Sequence, residues 1–151
     1  VLRAITKRQS LSALGGGRAR ELLRLLTELT TMPRNILAAV DDMFFAAKIR
    51  ATAEALGVTI KFHRRIDSLV GAAIEQPPDL IICDLHNEKL NPVELARDLK
   101  SKEGLKAIPL LGFFSHVQTD LQRAALEAGY DQVIPRSIFS RDLAKIIGEG
   151  A

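Results

Sequence analysis

Cysteine and the aromatic residues are scarce in this chain: one cysteine, one tyrosine, no tryptophan and six phenylalanines among 151 residues. The lone Cys83 excludes an internal disulfide framework and any zinc site built from several thiolates. It falls in a predicted buried strand and is read as a small core residue of a protein in the reducing cytoplasm. Long apolar runs are also missing. No stretch approaches the length of a membrane span, and no uninterrupted apolar segment of secretory type follows the first charges, so neither a membrane anchor nor a cleaved signal peptide is predicted.

The remaining composition is ordinary for a globular protein, with 47% hydrophobic and 26% charged residues. The length suffices for one domain with a full core and a short appendage, not for two domains. A formal net charge of +3 and a pI near 9.2 would point toward nucleic acid if the charge were spread evenly. It is concentrated at one end. Residues 1–31 hold Arg3, Lys7, Arg8, Arg18, Arg20 and Arg24 against Glu21 and Glu28, while the other 120 residues carry 15 basic and 16 acidic groups. The globular part is therefore close to neutral. The basic arm has neither aromatic residues for base stacking nor a helix-turn-helix pattern, so nucleic acid is not predicted as a partner.

The same arm reads differently in other respects. Gly15-Gly16-Gly17 is a flexible break, and Arg18 to Thr30 follows as an amphipathic helix with Leu22, Leu25, Leu26 and Leu29 on one face. Pro33 then stops it by disfavouring helix in the residue before it. Three readings stand open: a dimerising or docking helix, a lid on the main domain, or an over-long reading frame from Val1 with Met32 as the native first residue. The expected organisation is a basic N-terminal extension over residues 1–34 and one domain over residues 35–151.

From Asn35 onward strands and helices alternate. Predicted strands cover Ile36 to Val40, Val58 to Phe62, Asp79 to Asp84, Ile108 to Phe114 and Gln132 to Pro135, the third apolar on both faces as a central parallel strand should be. Predicted helices cover Met43 to Leu56, Asp67 to Glu75, Pro92 to Lys102, Gln118 to Ala128 and Ile138 to Ile147. Gly57, Gly104 and Gly129 mark ends, and Asn91 followed by Pro92 marks a start. Right-handed crossovers between five such units give an α/β fold, a doubly wound five-stranded parallel sheet in flavodoxin-like order, with an N-terminal helical extension.

Acids stand where such a sheet gathers its functional groups. Asp41-Asp42 follows the first strand and Asp84 ends the third, and the carboxyl ends of parallel strands meet at one edge. Oxygen ligands collected there suit Mg²⁺, which binds through a few carboxylates and keeps waters for a phosphate to replace. Asp after a strand also commonly caps the next helix. Nothing glycine-rich follows the first strand to hold a phosphate on backbone N–H groups, which argues against flavin, nucleotide and sugar-phosphate binders of similar topology.

Further motifs line up in order. The run Asp79-Leu80-Ile81-Ile82-Cys83-Asp84-Leu85 closes the third strand, Ala125-Leu126-Glu127-Ala128-Gly129-Tyr130-Asp131 leads into the fifth, and Pro135-Arg136-Ser137-Ile138-Phe139 leaves it. With the acid pair, these resemble the receiver domain of two-component response regulators over residues 35 to 148. The resemblance implies a (βα)5 receiver fold in which Asp84 is the phosphoacceptor. It would take a phosphoryl group from a sensor histidine kinase or a phosphotransfer protein, with Mg²⁺ held by Asp41, Asp42, Asp84 and the backbone carbonyl of His86. Arg136 stands where the family has a Lys and would supply the cation on the phosphate, through a bulkier planar fork.

Several positions depart from the family pattern. The hydroxyl residue at the end of strand four falls at Phe114, leaving the adjacent Ser115 as its substitute, and the aromatic switch of strand five falls at Val133. Glu88 and Ser137 stand in place of Pro, and Pro92 in place of Gly. His86 is placed either to reach an attacking water or to sit in an exposed loop. His116 lies at the same edge, and His63 is predicted at the surface. Phe44-Phe45 and Phe113-Phe114 are read as core or partner-facing surface.

Three functions are compatible with these residues. The first is a stand-alone atypical receiver that is not itself a classical enzyme, accepts a phosphoryl group on Asp84 in a Mg²⁺-dependent phosphorelay, and signals to a downstream protein by contact. The second is a pseudo-receiver whose contacts no longer depend on phosphorylation. The third is a Mg²⁺-dependent phosphatase or phosphotransferase, for which the sequence offers no evident substrate pocket. The family also suggests a homodimer through the domain's fourth helix, fifth strand and last helix.

Overall fold

The computed structural model describes residues 16–30 and 33–149. Arg3, Lys7, Arg8, Gly15 and Met32, on which part of the reading of the N-terminal arm rests, lie outside the described residues. Backbone contacts divide the chain between Pro33 and Arg34, so the first described helix belongs to a different unit from the residues after it. That helix, α1 (Gly16–Thr30), begins inside the glycine run rather than after it. Gly16 and Gly17 form its first turn, where backbone N–H groups have no intrahelical acceptor and the interior penalty on glycine is least felt.

The domain then runs β1 (Asn35–Ala39), α2 (Met43–Ala55), β2 (Thr59–Phe62), α3 (Ile66–Glu75), β3 (Leu80–Asp84), α4 (Pro92–Lys100), β4 (Leu110–Phe114), α5 (Thr119–Ala128), β5 (Gln132–Pro135), α6 (Arg136–Arg141) and α7 (Leu143–Glu149). All strand pairs are parallel and the order is β2-β1-β3-β4-β5. This is the flavodoxin-like order expected from the sequence. The chain reverses direction across the sheet between β1 and β3, and the crevice outside those two carboxyl ends is where such sheets place their sites. Register brings Ala39 beside Cys83 and Asp84 beside Phe113, so the residues after β1 and the end of β3 share one edge.

Strand alternation separates two apolar layers. Leu37, Ala39, Ile81, Cys83, Leu110 and Phe114 face α3, α4 and α5, while Ile36, Ala38, Ile82, Leu111 and Phe113 face α2, α6 and α7. The two adjacent phenylalanines of β4 thus lie in opposite layers, both buried. Cys83 is buried as expected, and desolvation pushes its thiol up to about 12, which leaves it an inert core residue.

Most element boundaries differ from the sequence reading by one or two residues, and two differences are larger or structural. β4 begins at Leu110 because Pro109 has no N–H to give the ladder, although its carbonyl accepts from Ile81 N–H at 2.9 Å. The last predicted helix is two helices interrupted at Asp142, and Arg136 opens the first of them instead of preceding it. Gly112 in β4 has a packing reason. A Cβ there would lie 2.8 Å from Leu85 Cδ2 and 3.0 Å from Tyr130 Cδ1. Tyr130 crosses that gap to donate its buried hydroxyl to the Pro92 carbonyl at 2.8 Å, tying the start of α4 to the start of β5.

Candidate functional site

Asp84 is the centre of the carboxyl edge. It is 9% exposed, and its Oδ1 accepts the His86 N–H at 2.9 Å. Among the described residues nothing hydrogen-bonds its Oδ2, leaving one oxygen held and the other open. Burial raises the pKa of this carboxyl above its ordinary value of 3.8. The His86 amide and the His86 and Arg136 charges oppose that rise, and the Asp42 charge adds to it.

Asp42 performs the role that its position after a strand suggests. Its Oδ1 accepts from Phe45 N–H at 2.9 Å and so caps α2. Its Oδ2 pairs with Arg136 Nη2 at 3.3 Å. The Phe45 N–H bond, with Arg136 beside it, holds this carboxyl below the ordinary range. Arg136 is fixed from a second side, because its guanidinium lies 4.1 Å from the centroid of the Phe45 ring. Phe45 in turn packs edge-on against Phe113 and Phe139, which stack on each other at 4.7 Å. One aromatic cluster of the core therefore sets where the cation of the site stands.

Asp41 looks the other way. Its Oδ1 is 3.9 Å from Arg64 Nε, an ion pair too long for a hydrogen bond. Among the described residues, no group of three or more His, Cys, Asp or Glu side chains is gathered to hold a metal ion. The donors themselves suit a hard divalent cation, being carboxylate oxygens with the free Oδ2 of a buried acid among them. In the arrangement present, both Asp42 oxygens are engaged, Oδ1 by the Phe45 N–H and Oδ2 by Arg136.

The edge of β4 departs from the hydroxyl pattern. Phe114 is 7% exposed and packed in the α3–α5 layer, so the last side chain of β4 offers no hydroxyl to the site. Ser115 is exposed in the loop beyond it, and no hydrogen bond joins it to Asp84. Val133 is a partly buried packing residue.

His86 is better anchored than a loop histidine. Its Nε2 accepts the His116 N–H at 3.4 Å, and the two rings meet edge to face at 5.6 Å. The loops after β3 and β4 are thus joined by an imidazole. The sequence reading missed Asn87, which donates from Nδ2 to the Ala39 carbonyl at 3.1 Å and accepts from Lys89 and Leu90 N–H on Oδ1. It shapes the loop leaving Asp84 and pins it to the end of β1. The Asx-turn tendency of Asn was the available signal.

No family profile matches the chain, and no curated protein does. Solved structures do. A chemotaxis response regulator of Vibrio cholerae superposes with a TM-score of 0.68 at 14% identity, over 80% of this chain and 100% of that one. A response regulator from Chloroflexus aurantiacus gives 0.67 at 18%, over 76% and 93%. The receiver domain of a Pseudomonas aeruginosa sensor histidine kinase, solved with a magnesium ion coordinated in its active site cleft, gives 0.64 at 20%, over 78% and 100%. Sheet order and these superpositions agree: the chain has the fold of the response regulator receiver domain.

Proposed function

We propose that this protein is an atypical receiver that accepts a phosphoryl group on Asp84 and signals by protein contact, with residues 35–151 as the receiver and residues 1–34 as its extension. The observation that carries the reading is the Asp84 carboxylate, with Oδ1 fixed by the His86 amide and Oδ2 open at the carboxyl edge of the sheet. In the reaction, Oδ2 attacks phosphorus, the P–N bond of a donor phosphohistidine breaks, and its electron pair returns to the leaving imidazole. Arg136 stands one carboxylate away and is the cation available to the transferred group. Asp41, Asp42, Asp84 and the His86 carbonyl are the oxygens that would hold Mg²⁺, whose contribution is to neutralise charge on the phosphoryl oxygens. Met43 and Phe44 follow the acid pair and are exposed, Phe44 at 91%, which supports recognition of a partner beside the pocket.

A second reading, a pseudo-receiver with phosphorylation-independent contacts, is favoured by Phe114. A buried phenyl ring stands where a hydroxyl would follow the phosphoryl group. Beryllofluoride with Mg²⁺, observed by ¹⁹F NMR, separates the two. Bound resonances in the wild type that vanish in Asp84→Asn are expected; a folded wild type without them favours the pseudo-receiver.

A further inference from the structure

Beside the acid edge, between the end of β1, the first turns of α2 and the end of β2, lies a half-open cavity of about 230 Å³. Met43, Ala46 and Phe62 give it an apolar wall. Its polar side is made of Arg50, His63, Arg64 and Asp41. Its two guanidinium groups make no hydrogen bond to a protein acceptor among the described residues. Among the described residues the Arg50 guanidinium has no acceptor and rests on the Phe62 ring, 4.9 Å from its centroid. Arg64 has only the 3.9 Å approach to Asp41 Oδ1. His63 Nε2 is buried without a hydrogen-bond partner, while Nδ1 is engaged with Ser68 Oγ at 2.7 Å.

A buried polar atom without a partner is uncommon, and two guanidinium groups at one apolar-walled cavity add positive charge to it. Asp41 is the one acid in the lining and offsets a single arginine. The size sets the body of the ligand. A cavity of roughly 150 Å³ accommodates benzene, so this one has room for a ring-sized apolar group together with an anionic head.

We propose that this cavity is a second ligand site, taking a small molecule with a ring-sized apolar body and a carboxylate or phosphate head held by Arg50 and Arg64. Phe62 presents its ring to the body from beneath Arg50. This site is separate from the phosphoryl pocket and does not depend on Asp84 being an acceptor. It is linked to that pocket at one point, because an anion that draws Arg64 to itself leaves Asp41 without its nearby cation.

The test is a ¹H–¹⁵N NMR titration of the full chain with phenyl phosphate, and in parallel with benzoate and with inorganic phosphate. Saturable shifts of the Val40, Phe62, His63 and Arg64 amides with phenyl phosphate or benzoate are expected, the better of the two naming the head group. Arg50→Ala, at an exposed position, should weaken that binding at least ten-fold, and Asp84→Asn should leave it unchanged. Shifts confined to the Asp84 and Arg136 pocket, an equal response to inorganic phosphate alone, or full binding by both Arg50→Ala and Arg64→Ala would each overturn the proposal. Failure of Asp84 to accept a phosphoryl group, read by mass, leaves this outcome untouched.

Discussion

Asp84 holds a carboxyl group where solvent barely reaches it, and its pKa rises for that reason. The linkage has a definite sign. Below the ordinary carboxylate value the group is protonated in folded and unfolded chains alike, and it costs nothing. As pH climbs past 3.8 the unfolded chain ionises first, so the folded state loses stability until the folded group has ionised as well, and the loss stays constant above that. Asp84→Asn, which keeps the shape and removes the charge, is therefore expected to be more stable than wild type at neutral pH. The gap should close as pH falls toward the ordinary value. Urea unfolding across pH measures it, and a mutant less stable than wild type at pH 7 contradicts the assignment of burial as the main cause. Arg136 shows the limit of reading single residues. Its place after strand five was legible, but its pairing with Asp42 was not, because the Phe45 ring beneath it sets where the guanidinium stands.

At the scale of elements, β4 shows how packing and site share one strand. Leu110, Gly112 and Phe114 point to one layer, and Gly112 is the gap through which Leu85 and Tyr130 approach. Gly112→Ala places a methyl group into side chains already in contact and should cost about 1–3 kcal/mol. Gly104→Ala, with no atom within 4 Å of its added Cβ, should be nearly neutral. Denaturant midpoints of the two variants compare them directly, and equal midpoints would remove the packing role of Gly112. The places of Asp41 and Asp42 after β1 and of Asp84 at the end of β3 were legible because both strands are short apolar runs met by acids at their carboxyl ends. Asn91 before Pro92 likewise announced α4, where its Oδ1 accepts from Val93 and Glu94 N–H. The sequence did not reveal the two-helix form of the C-terminal segment, since the apolar spacing of Phe139, Leu143, Ile146 and Ile147 survives the interruption at Asp142. Nor did it reveal the Asn87 and His86 bridges, which join loops distant in sequence and leave no periodic trace.

Across the whole molecule, two apolar layers clamp a parallel sheet, and its carboxyl edge collects the acids, an arginine, two histidines and an exposed Met43-Phe44 pair. Positive charge is concentrated in the N-terminal arm, leaving the domain nearly neutral. No helix among the described residues is long and apolar enough to cross a membrane. The fold was readable because one kind of alternation runs through residues 35–149. The proposed phosphoacceptance depends on a single oxygen, the Oδ2 of Asp84, which no described residue hydrogen-bonds. The direct test is the intact mass of the full chain after incubation with acetyl phosphate, with and without Mg²⁺, for wild type and Asp84→Asn. A Mg²⁺-dependent gain of one phosphoryl group that the mutant lacks is expected; no gain in a folded wild type, or the same gain in Asp84→Asn, would contradict phosphoacceptance at Asp84.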